Sequence, residues 1–317
     1  MGANTFAPPA PAHRPEPLTI LPYDLCLAAS GADPFVRWQV DPRQSPEGWV
    51  LEGAVAFHRL APGGHRTLTV IGPPAAAAAA VRRLVRAGEP TRVTVPAGTL
   101  ELMSGELRVG DGASWEWMRA DVPPAEFSTA QRVQVLCPAD GPAISELLRV
   151  ASPRHSTDPG DDDIVQWVGV RDGAGTLSAC AAHTESVPGI PHLASVATHP
   201  SAQGQGLGSL VTGSLTRRLL LAGAPVVALG MYSDNDMARR MYLRLGFRCD
   251  HRWSSHTVVR LPCGDHAIPA QGLAANGFRR ARQPTWTASW RTTQSLPGPE
   301  LTRPSPHAQC RRIRGCT

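Results

Sequence analysis

Lysine is missing from this 317-residue chain, whose 31 basic side chains are all arginines. That excludes a lysine nucleophile, a lysine Schiff base and the phosphate-binding lysine of a Walker-type loop. Long apolar runs are missing too: no stretch approaches the roughly 20 apolar residues of a membrane-spanning helix. The opening residues, "MGANTFAPPAPAHRPEP", hold no apolar signal core, so a cytoplasmic location and no membrane partner are expected. They begin Met-Gly, but Phe6 stands where an N-myristoylation pattern requires Ser or Thr. Paired cysteine spacings are absent as well. Seven scattered cysteines with no C-x-x-C argue against a disulfide framework or zinc cluster, so reduced thiols and no metal are expected.

Basic charge is abundant only at one end. Residues 262–317 hold eight arginines against Asp265 and Glu300, a surplus of six, whereas the whole chain is +5. Residues 1–261 therefore sum to −1, and the pI near 9.0 belongs to a tail. No nucleic-acid partner is expected on this ground, although the tail remains a weaker candidate for an RNA-binding arm.

Local patterns divide the chain. Residues 1–17 and 262–317 read as a disordered leader and a disordered Arg- and Pro-containing tail. Residues 18–124 read as a mixed α/β lobe, in which "RTLTVIG" leads through Pro73 and Pro74 into an alanine-rich helix. From residue 130 the order is strand, helix from about Pro142, hairpin around "RDGAG", strand "PHLASVAT", glycine turn, and helix from about Gly206 to Leu221. A buried strand "PVVALGMY", a helix capped by Asp234 or Asn235 and stopped at Gly246, and closing strands complete it.

The chemistry concentrates at the turn "QGQGLGS", Gln203 to Ser209. A strand entering a helix through glycines is an anion site, because helix N-termini expose unpaired N–H groups and glycine lets a phosphate reach the backbone. The turn has no Walker lysine. It is not the dinucleotide fingerprint G-x-G-x-x-G either, since Ser209 or Val211 stands at the third glycine. The pattern Gln203-x-x-Gly206-x-Gly208 between strand and helix resembles the acyl-CoA signature of the GNAT N-acetyltransferase superfamily. So does Asn235-x-x-Ala238-x-x-x-Tyr242-x-x-Leu245-Gly246-Phe247, which begins 26 residues after Ser209. The resemblance covers residues 130 to about 258.

This resemblance implies an α/β GNAT fold: a mixed, mostly antiparallel sheet with a splayed central strand pair, flanked by helices. It also implies a catalytic domain over residues 130–261. By position and element order, residues 18–124 resemble the degenerate first lobe of two-lobe members, without a CoA site of their own. The implied reaction moves an acetyl group from acetyl-CoA directly to a primary amine of a small molecule or peptide; a non-catalytic acyl-CoA sensor or scaffold is the alternative. The amides of Gln203, Gly204, Gln205, Gly206, Leu207, Gly208 and Ser209 would hold the pyrophosphate, and Val196, Ala197 and Thr198 the pantetheine arm. Tyr242 would protonate the leaving thiolate or merely pack, and Asn235 would bond the cofactor arm or cap its helix. His192, eleven residues before Gln203, is the candidate base at a position where some members carry glutamate. His183, Glu185 and Asp161–Asp163 are its rivals.

Overall fold

The computed structural model describes residues 18–262 apart from 45–46, 52 and 61–64. The expected leader falls outside them, and so does the expected tail beyond Pro262. The first half supplies helices α1 (Tyr23–Ala29) and α2 (Pro34–Gln39), then strands β1 (Gly48–Leu51), β2 (Ala54–Leu60) and β3 (Arg66–Ile71). Helix α3 (Pro74–Leu84) and strands β4 (Pro90–Pro96) and β5 (Leu107–Ala120) follow. The second half gives β6 (Gln134–Leu136), α4 (Gly141–Ala151), β7 (Ile164–Arg171), β8 (Leu177–Val187) and β9 (Ile190–Thr198). It closes with α5 (Leu207–Leu221), β10 (Val227–Tyr232), α6 (Asp236–Arg244) and β11 (Arg248–Arg260).

Among the described residues, eleven strands form one sheet, ordered β1-β2-β3-β4-β11-β5-β10-β9-β8-β7-β6. Only β3/β4 and β9/β10 pair in parallel, so the sheet is mixed and mostly antiparallel. Leaving β6 aside, the order repeats from either end when β1–β5 are matched to β7–β11. In each half a helix, α3 or α5, crosses between the two parallel strands. Each half also lends its last strand to the other: β11 lies between β4 and β5, and β5 lies between β11 and β10.

Alternation along the strands sorts the core onto two faces. One face carries Leu193, Val227, Leu229 and Met231 under α5 and α6, with Tyr242, Leu245 and Phe247 packed among them. On the same side α3 lays its buried face, Ala77, Ala78, Ala80 and Val81, against β2, β3 and β4. Alanine side chains let that helix lie close to the strands. The opposite face holds an aromatic core of Phe35, Phe57, Trp117 and Trp253 beneath α2, while α4 covers Ala182 and Ala194.

The exchanged strands are tied in several ways. Glu116 on β5 is buried and accepts from Arg239 on α6 (3.1 Å) and pairs with Arg252 on β11 (3.3 Å). On the other face Ser255 of β11 bonds Thr94 of β4 (2.7 Å) and receives the Trp115 indole N–H of β5 (2.8 Å). Among the described residues, Cys26, Cys137, Cys180 and Cys249 are free thiols.

Candidate functional site

Strands β9 and β10 pair only at His192–Ala228 and Leu193–Leu229. Beyond those two positions β9 continues on β8, through Ala194, Ala197 and Thr198, while β10 continues on β5 through Gly230 to Tyr232. The two strands therefore diverge, and a wedge opens between Ser195–Thr198 and Gly230–Tyr232. At the divergence the backbone of Ser195 takes a positive φ of 48°, unusual for a residue with a side chain. Its hydroxyl compensates: it donates to the Thr157 carbonyl (2.8 Å) and accepts from the Thr157 N–H (3.1 Å).

The glycine turn lies at the open end of β9. Pro200–Ala202 make one 3₁₀ turn, held where the His199 N–H donates to the Ser178 carbonyl (2.8 Å). Gly204 (φ 78°) and Gly206 (φ 75°) are both left-handed, and a Cβ at either would meet no atom within 4 Å. Left-handed backbone is the conformation for which glycine carries no steric cost. Gly206 is the N-cap of α5, and its carbonyl accepts the first helical bond, from Leu210 N–H (2.9 Å). Among the described residues no acceptor takes the amides of Gly204 to Ser209. The result is a row of unclaimed N–H groups, exposed from Gly204 to Gly206 and running into the positive end of a fifteen-residue helix, where Leu207 is buried. Gly208 serves packing instead. A Cβ there would lie 3.2 Å from Thr198 Oγ1 and 3.3 Å from Met241 Sδ, so its hydrogen lets α5 approach β9 and α6.

The expected cofactor residues thus fall along one path. Gln203, Gly204, Gln205 and Gly206 are exposed in the turn, Leu207, Gly208 and Ser209 begin α5, and Val196, Ala197 and Thr198 line the wedge. Asn235 caps α6, its side-chain oxygen accepting from Ala238 N–H (3.0 Å). That leaves its amide N–H₂ for another partner.

Burial shifts the titration of both candidate catalytic side chains. The ordinary phenol value near 10 does not apply to Tyr242, because burial in the core beneath α6 pushes it upward. Its ring packs edge-on against Phe247 with centroids 5.8 Å apart, and its hydroxyl has no hydrogen-bond partner among the described residues. His192 does not keep an imidazole value near 6.5 either. Burial, reinforced by the positive charge of Arg59, brings it down to about 4. It is a neutral imidazole at pH 7, and a weaker base than its sequence position suggests.

Three rivals of His192, namely His183, Glu185 and Asp161, have hydrogen-bond partners of their own. His183 bonds Gln166 through Nδ1 (3.2 Å) and Glu185 through Nε2 (3.2 Å). Glu185 also accepts the Gly189 N–H of the β8–β9 turn (2.9 Å). Asp161 accepts from Asp158 N–H (2.9 Å) and shapes the loop after α4, while burial, with Asp161 next to it, raises the carboxyl of Asp163.

Sequence reasoning missed the strap over the wedge. The segment following α4 is anchored on β9 through Thr157 and Ser195, and beyond β10 through Arg154, whose guanidinium makes two bonds of 2.9 Å to Asp234. The same guanidinium lies 4.3 Å from the centroid of the Tyr232 ring. It also missed Arg59, although the alternation Val55, Phe57, Arg59 was a readable signal that an arginine shares the apolar face of β2.

Residues 167–256 match the family model described as FR47-like protein. No curated protein matches the chain. Among solved structures, the GCN5-related N-acetyltransferase from Sphaerobacter thermophilus is 17% identical (TM-score 0.45), covering 73% of this chain and 88% of its own. That from Kribbella flavida is 19% identical, covering 75% and 95%, with a TM-score of 0.43. An acetyltransferase from the GNAT family of Colwellia psychrerythraea is 13% identical, covering 76% and 99%, with a TM-score of 0.45. The match to the FR47-like model, residues 167–256, contains the wedge, the glycine turn and the Asn235–Phe247 segment.

Proposed function

We propose that this protein is an N-acetyltransferase that moves an acetyl group from acetyl-CoA to a primary amine by direct transfer in a ternary complex. The observation that carries the reading is the open glycine turn, with unclaimed amides, at the mouth of a wedge between parallel strands. In this reading the amides from Gly204 to Ser209 hold the pyrophosphate, and the helix dipole favours its charge; the Gln203 N–H, expected to join them, is already donated to the Pro200 carbonyl (3.3 Å). The backbone of Val196–Thr198, unpaired on its β10 side, meets the amides of the pantetheine arm. Acetyl-CoA, when bound, supplies an activated thioester. The neutral His192 imidazole accepts a proton from the amine as its nitrogen bonds the thioester carbon, and the Tyr242 hydroxyl gives its proton to the sulfur as the C–S bond breaks.

A second reading, an acyl-CoA-binding module without turnover, draws on the same His192. An imidazole whose conjugate acid lies at about 4 is poorly matched to a proton from an amine at neutral pH.

Turnover separates the two. Acetyl-CoA is incubated with a broad panel of amines, with amide product and free thiol measured together. Catalysis predicts both in equal amounts, and a lower kcat for Tyr242→Phe and His192→Gln. Turnover unchanged in both variants contradicts the roles given to these side chains. Acetyl-CoA binding with no turnover across the panel favours the binding module.

A further inference from the structure

The face of the sheet that carries His192 also carries Arg59. His192 is in register with Ala228 on β10, and Ala228 belongs to the aromatic core beneath α2. Val55 and Phe57 belong to the same core, so Arg59, next in their alternation, turns its side chain to that face. Strands β2 and β8 stand seven places apart in the sheet order, yet Arg59 of β2 and Ser186 and Val187 of β8 line one cleft of about 310 Å³. The sheet therefore curls so that its two halves face each other across this cleft. The segment Gln39–Asp41, at the end of α2, forms another part of its wall.

Within the cleft the charges are matched, with one exception. Asp41 pairs with Arg43 at 2.8 Å, and Glu47 pairs with Arg66. Arg59 has no carboxylate partner among the described residues. Its Nε donates to Thr69 Oγ1 (3.1 Å), and its guanidinium carbon lies 5.2 Å from the centroid of the Phe35 ring. These contacts anchor the group at Nε and beside the Phe35 ring, and leave the terminal N–H₂ groups for a ligand. A half-buried guanidinium, anchored through Nε and lacking a counter-ion, suits a carboxylate, which two parallel N–H groups bind in a bidentate pair. Two further observations support this. Burial, aided by the positive charge of Arg92, lowers Arg59 to about 10, so its surroundings lack the negative charge that would stabilise it. And Arg59 is near enough for its charge to act on His192.

We infer that the acceptor is a small primary amine carrying a carboxylate, such as an α-amino acid. Its carboxylate pairs with Arg59 in the cleft and its amine lies on the His192 side. The cleft's volume fits a molecule of that size rather than a folded protein. This inference rests on the acetyl-transfer reading and adds the substrate class to it.

The test uses the full chain with acetyl-CoA and matched acceptors: free amino acids, their carboxamides and the corresponding amines without a carboxyl group. The readout is discrimination, the ratio of kcat/KM for a carboxylate acceptor to that for its carboxyl-free match. The expected ratio is ~100 in the wild type, the size of one desolvated charge-assisted pair. It should collapse to within a few-fold of unity in Arg59→Gln, mainly through KM, and recover in part in Arg59→Lys. Calorimetry with acetyl-CoA alone and a thermal melt are run on each variant. A wild type that binds acetyl-CoA but treats the matched acceptors alike overturns the assignment of Arg59 and leaves acetyl transfer standing. So does an Arg59→Gln variant, folded and binding acetyl-CoA, whose discrimination is unchanged. A wild type that does not bind acetyl-CoA overturns the transfer reading, and the acceptor assignment falls with it.

Discussion

Gly206→Asp separates folding of the turn from anion binding by it. Gly206 has a φ of 75°, and a Cβ there would meet no atom within 4 Å, so the substitution brings backbone strain without a clash. A side chain in left-handed backbone costs about 1–2 kcal/mol, with Asp and Asn at the low end. A carboxylate at the N-terminus of α5 recovers about 0.3–1 kcal/mol through the helix dipole. Unliganded stability should therefore change by no more than about 1 kcal/mol. Binding should behave differently. A carboxylate roughly 4 Å from a phosphate charge, at an effective dielectric constant near 20, repels it by about 4 kcal/mol. That is ~10³-fold in affinity. At a ligand concentration one hundred times the wild-type Kd, acetyl-CoA adds about 2.7 kcal/mol to wild-type stability and almost nothing to the variant. Gly206→Asn, similar in shape and uncharged, should keep most of the effect. The assay is urea unfolding with and without acetyl-CoA. A Gly206→Asp protein that retains the stabilisation, or a Gly206→Asn protein that loses as much as the aspartate, refutes the anion cradle.

The other predictions concern the exchanged strands and His192. A Cβ at Gly112 would clash with the Ser255 carbonyl oxygen and lie 2.6 Å from His256 Cα. Gly112→Ala must therefore push β5 and β11 apart, costing about 2–3 kcal/mol in denaturant melts, and a neutral result would contradict this close approach. Glu116→Ala removes the buried carboxylate shared by Arg239 and Arg252, although Arg239 keeps Asp236 and the Ser233 carbonyl; it should lower stability in denaturant melts, and a neutral result would mean that the carboxylate does not tie the exchanged strands. His192 takes up its proton near 6.5 in the unfolded chain but only near 4 in the native one. Stability is thus full above pH 6.5 and falls as pH drops through that window, by up to ~3 kcal/mol from this residue. His192→Gln should flatten the fall between pH 7 and 4.5 in urea melts, and an unchanged slope would contradict the depressed value.

Much of the second half could be read locally. The run from "QRVQVL" to "RCDHRWSSHTVVRL" alternates strand and helix periods with clear punctuation, and Gly206, Asn235 and Gly246 do what their types predict at helix ends. The exchange of β5 and β11 could not be read. Each strand has an ordinary alternating pattern, and nothing local distinguishes pairing within one half from pairing across both. The strain at Ser195 was hidden for a similar reason, since the side chain that offsets it bonds Thr157, 38 residues earlier. The titrations of His192 and Tyr242 depend on tertiary surroundings. For His192 the relevant charge, Arg59, comes from the other half of the chain. Arg59 itself was visible as a cation in step with Val55 and Phe57, but its importance emerges only when the sheet curls and brings β2 to the end of β8.

The central claim is that the turn from Gln203 to Ser209 cradles the pyrophosphate of an acyl-CoA whose arm enters the wedge between β9 and β10. The most direct measurement is isothermal calorimetry of the wild-type chain with acetyl-CoA, CoA and 3′-dephospho-CoA. One site per chain is expected for each, because all three carry the pyrophosphate and the pantetheine arm. Absence of binding by all three, or two equivalent sites per chain, would contradict it.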